Sequence, residues 1–143
     1  MKKTILSIMV LASILLNAEG NFQAKLIDVK IFKGDLGKGN MNKCTKFLVL
    51  ETYELLNTDL NGIVISHTVD NKPTVLRKRE YKEINTNYIS YPYCISSKAY
   101  KAKIQTKFLN SNNMQSNTIE FTTDTKNLKL HDADQYPHHE KIK

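Results

Sequence analysis

At 143 residues and 41% hydrophobic content, the chain can build one domain with a substantial core, and its two cysteines set it apart from disulfide-dense miniproteins. Lys and Arg total 21 against 14 Asp and Glu, a net charge of +7. That balance suits acidic surfaces such as anionic envelope polymers. It falls short of a nucleic-acid signature, which concentrates cations and interleaves them with aromatic rings.

Lys2 and Lys3 precede an apolar run of 12 residues, Ile5 to Leu16, followed by the small residue Ala18. The run is shorter than the roughly 20 residues that span a bilayer, so residues 1–18 are predicted to be a signal peptide cleaved after Ala18. Export to the periplasm, the cell surface or the medium follows, with no membrane span after cleavage. The composition, rich in Asn, Lys and Ile, suggests a bacterial source.

From Leu26 the chain alternates. Ile27, Val29 and Ile31 are predicted to share one face, with Asp28 and Lys30 opposite. Gly34, Gly37 and Gly39 then interrupt it; GDLGKG reads as a loop, because no helix follows to point amides at a phosphate. Thr45 to Tyr53 is apolar at nearly every position, as a strand covered on both faces is. After a turn at 57–62, Ile63, Ile65, His67 and Val69 align, and Asp70 to Pro73 signals another turn. Thr74 to Tyr81 is polar and predicts an edge strand. Tyr88 to Ile95 sets Ile89, Tyr91, Tyr93 and Ile95 on one side.

The last stretch, Ser97 to Thr123, is the most regular. Tyr100, Ala102, Ile104, Thr106 and Phe108 face one way; Lys101, Lys103, Gln105 and Lys107 face the other. A polar turn, Asn110 to Asn117, leads to a second run in which Ile119 and Phe121 point inward. This hairpin resembles the closing hairpin of fibronectin type III domains. With about seven strands and no convincing helix, the expectation is an all-β, seven-stranded antiparallel immunoglobulin-like or fibronectin type III-like sandwich over residues 19–123. The resemblance implies binding without catalysis, and a tyrosine corner in which the Tyr100 hydroxyl bonds nearby backbone. Residues 124–143 are polar, show no apolar face and are expected to form a His-containing tail.

In an exported chain, Cys44 and Cys94 are expected to form a disulfide. An immunoglobulin-like arrangement supports this, since its second and fifth strands are adjacent. Closing a loop of about 50 residues contributes roughly 3–4 kcal/mol by chain entropy.

Arg77, Lys78, Arg79 and Lys82, with Tyr88, are the expected binding surface; Lys101, Lys103 and Lys107 form a second basic stripe. His67, alone among apolar neighbours, reads as a packed, hydrogen-bonded core residue. His131, His138 and His139 with Asp132 and Asp134 could weakly hold Zn, Cu or Ni; no cofactor is otherwise implied. Paired catalytic carboxylates and Ser/His/Asp spacing are both missing, so no enzyme is expected. The function expected is an exported protein–protein interaction module of the bacterial envelope, binding another envelope or surface protein. A periplasmic metal-binding protein and a small inhibitor or immunity protein are the alternatives.

Overall fold

The structure is a computed structural model that describes residues 22–34, 44, 46–74, 82–85 and 87–137. Nine strands lie among them: β1 (Gln23–Lys33), β2 (Phe47–Leu56), β3 (Val64–Val69), β4 (Lys72–Pro73), β5 (Lys82–Glu83), β6 (Tyr88–Ile95), β7 (Lys101–Leu109), β8 (Ile119–Asp124) and β9 (Leu130–His131). They form two sheets, ordered β5-β6-β2-β1-β9 and β4-β3-β7-β8. Every pairing is antiparallel except that of β1 with β9. The fold is therefore a β-sandwich, and two two-residue pieces, β4 and β9, take the strand count above seven.

Side-chain parity places the core between the sheets. Val49, Tyr53 and Leu55 of β2 face Ile65 of β3 and Ile104 and Phe108 of β7, all buried. β1 departs from simple alternation. Its register against β2 slips between Leu26 and Asp28, so a bulge falls at Ile27. The extra residue flips the phase, leaving Val29 and Ile31 packed inward while Ile27 stands 45% exposed. The expected Ile27–Val29–Ile31 face is thus broken at its first member.

The turn between β3 and β4 is tighter than predicted. Asp70 and Asn71 take φ of 50° and 67°, the left-handed pair of a two-residue hairpin, and Lys72 and Pro73 already belong to β4. Most of the predicted edge strand, residues 75–81, lies outside the described residues.

β2 is covered on both faces, and the second cover comes from the C-terminal segment. Leu48 and Leu50 point away from the sandwich core, yet they are buried in a second cluster with Phe32, Cys44 and Tyr136. This corrects the expectation of a tail from residue 124. β8 runs to Asp124, β9 pairs parallel with β1 (Ile31 with Leu130, Phe32 with His131), and a 3-10 turn at Ala133–Gln135 seats Tyr136 on the sheet. The Tyr136 ring meets Phe32 edge-on at 5.3 Å and is 2% exposed. A lone aromatic in polar sequence covers a ready-made apolar patch. Residues 138–143 lie outside the described residues.

The tyrosine corner is also corrected. Tyr100 packs against Tyr93, with ring centroids 6.2 Å apart, and among the described residues its hydroxyl bonds no backbone group. Thr125 closes that corner instead. Its amide donates to Tyr100 O at 2.9 Å, while its hydroxyl donates to Lys98 O at 2.5 Å and accepts from Tyr100 N at 3.1 Å.

Candidate functional site

Two places depart from an ordinary sandwich: a polar network inside the core and the open outer face of the four-stranded sheet.

The network centres on Glu51, whose inward parity on β2 carries a carboxylate into the core. Its Oε1 accepts from the Tyr53 hydroxyl at 2.5 Å and lies 3.0 Å from His67 Nε2 on the opposite sheet. Neither the Glu51 nor the His67 side chain is reached by solvent. A buried carboxylate is costly without such partners. Thr74 Oγ1 donates to the His67 carbonyl at 2.9 Å and lies 3.3 Å from His67 Nδ1 and 3.0 Å from the Tyr91 hydroxyl. Both ring nitrogens of His67 thus have a hydrogen-bond partner, Glu51 at Nε2 and Thr74 at Nδ1.

Tyrosines enclose the pair. The Tyr91 ring lies 4.2 Å and the Tyr93 ring 5.5 Å from the His67 ring, centroid to centroid. Tyr53 also shares a 2.9 Å hydrogen bond with Thr106 on β7. Burial, then the Glu51 charge, raise the Tyr53 and Tyr93 phenols well above their ordinary value. The network joins β2, β3, β6 and β7, and its Glu51–His67 centre is closed to solvent. His67 is thus the packed, hydrogen-bonded residue expected of it. Glu51 was missed; its signal was a carboxylate at inward parity within TKFLVLETY.

On the outer face of the four-stranded sheet, β3 presents Val64, Ser66 and Thr68, and β7 presents Lys101, Lys103, Gln105, Lys107 and Leu109. Two shallow depressions sit there. One, of about 270 Å³, is lined by Val64, Ser66, Lys107, Phe108, Leu109 and Gln115. Its neighbour, of about 190 Å³, is lined by Ser66, Thr68, Gln105, Thr106, Lys107 and Thr118. Lys103 pairs with Glu120 at 3.0 Å, and Gln105 donates to the same carboxylate at 2.8 Å. The Lys103 hydrogen bond and charge lower the Glu120 carboxyl below its ordinary range. Lys107 has no carboxylate partner among the described residues.

Of the expected binding surface, Arg77, Lys78 and Arg79 lie outside the described residues, Lys82 lies in β5, and Tyr88 is half-buried at the start of β6. Tyr91 is a core residue. The disulfide joins Cys44 to Cys94 with Cα atoms 5.5 Å apart, where β2 and β6 pair with Leu48 opposite Cys94. Of the expected metal ligands, His131 stacks on Phe32 at 5.3 Å and Asp132 bonds Lys33 at 3.3 Å, while Asp134 is exposed in the 3-10 turn. Among the described residues no three His, Cys, Asp or Glu side chains gather as a metal site. His138 and His139 lie outside them. Comparison of the chain with protein-family models, curated proteins and solved structures gave no match.

Proposed function

We propose that the chain is an exported, non-catalytic interaction module, a seven-stranded-type immunoglobulin-like sandwich resembling fibronectin type III, that docks another protein of the bacterial envelope or surface. The strand order supports the fold assignment. In the A-to-G lettering of immunoglobulin sheets, β1, β2, β6 and β5 take the places of A, B, E and D, while β3, β7 and β8 take those of C, F and G. The disulfide and the apolar run Ile5–Leu16 support export to an oxidising compartment. A non-catalytic role fits the sealing of the Glu51–His67 pair, which no substrate reaches.

One observation carries the docking assignment: the two outer faces differ. That of the five-stranded sheet is covered by Tyr136 over Phe32, Leu48 and Leu50, while Ile27 and Leu56 towards its other end stay exposed. That of the four-stranded sheet carries two adjoining depressions beside Lys107, and Val64 at their rim is 52% exposed. A photo-crosslinking residue placed at Ser66, with one at Lys25 on the other sheet as control, tests this in the native envelope. The expected result is one protein band from position 66 alone. Crosslinks of equal yield from both positions, or none from position 66, would overturn it.

A further inference from the structure

Resting on that docking assignment, we propose that the outer face of the four-stranded sheet holds an acidic peptide segment in extended conformation. Its aliphatic side chain would sit against Val64 and Leu109, and its carboxylate would face Lys107.

Size comes first. Depressions of about 270 and 190 Å³ fall below the roughly 300–1,000 Å³ of small-molecule sites, so each suits a single side chain. Spacing is the second argument. Both depressions share Ser66 and Lys107, and together they run along β3 from Val64 to Thr68, four residues or about 13 Å. Their centres are thus separated by about two strand residues, roughly 6.6 Å. Residues i and i+2 of an extended peptide share one side and stand that far apart, so one peptide fills both.

Charge and polarity choose the peptide. Val64 and Leu109 make the first depression partly apolar, while Ser66, Thr68, Gln105 and Thr118 make the second polar. Lys107, between them, lacks a carboxylate among the described residues, whereas Lys103 already holds Glu120. An incoming Asp or Glu supplies the missing partner. The lining exposes no aromatic platform of the kind that stacks on sugar rings, because Phe108 turns inward and is fully buried.

The test is peptide display. A random peptide library is selected on the oxidised full chain, and enriched peptides are titrated by fluorescence polarisation against wild type, Lys107→Glu and Val64→Ser. Both substitutions lie on a solvent face, so thermal unfolding should not move. The expected peptides carry Asp or Glu beside or two residues from Val, Ile or Leu. Lys107→Glu should weaken them by about tenfold or more, and raised salt should weaken them too. Selected peptides without an acidic residue, binding indifferent to Lys107→Glu, or no selected peptides would overturn the proposal. A crosslink at position 66 in the envelope combined with any of those results would mean that the face docks a protein by another chemistry.

Discussion

Glu51 and His67 meet at 3.0 Å across the gap between the sheets, one from β2 and one from β3, with neither side chain open to solvent. Removing one member leaves the other buried without its counter-group. His67→Ala is expected to cost about 3–5 kcal/mol, whereas replacing both, as Glu51→Met with His67→Leu, should come close to neutral or stabilise. Urea unfolding of the two singles and the double measures this. A double variant as unstable as the worse single would mean that the pair does more than satisfy itself.

The Cys44–Cys94 bridge closes a 50-residue separation. Chain entropy puts its contribution at roughly 3–4 kcal/mol. Reduction, or Cys44→Ala with Cys94→Ala, should lower the urea midpoint accordingly. Because β2 and β6 remain paired along their whole length, the circular dichroism of the folded form should stay that of a β protein.

Tyr136 is expected to act as a core residue despite its polar sequence neighbourhood. Tyr136→Ala should cost about 3 kcal/mol, the range of large-to-small changes in cores. Deleting residues 125–143 uncovers Phe32, Leu48 and Leu50, and removes Thr125 from its corner. That deletion should bind hydrophobic dyes and aggregate, a result that a loosely attached tail would not produce.

Alkaline pH probes the buried phenols. Burial pushes Tyr136 up to about 12, and burial with the Glu51 charge raises Tyr53 and Tyr93 well above their ordinary value. A phenol with a raised folded value favours its neutral form. The stability it contributes is therefore complete below the unfolded value near 10 and is lost as pH rises towards the folded one. Absorbance at the tyrosinate band should show these three ionising only as the sandwich unfolds. Early, reversible ionisation of all the tyrosines would contradict the burial.

Much of the β content was legible residue by residue. Tyr88–Ile95 was predicted with the bounds it has, and the Lys101–Lys103–Lys107 row was rightly placed outward, because alternation is set by the pleat of each strand alone. The same rule misled at Ile27, since a bulge is decided by register against a partner strand, here β2. His67 could be read as a core residue, but nothing near it in sequence named Glu51 as its partner, 16 residues away.

The sequence by itself determined which residues extend and which way most of their side chains face. These follow from local sterics and a period of two. Tertiary structure alone decided that Glu51 would meet His67 from the other sheet, that Tyr136 would roof Leu48 and Leu50, and that two depressions would form where β3 and β7 pair. Each of these depends on contacts between residues distant along the chain, whose free energy exists only once both sheets have closed on each other.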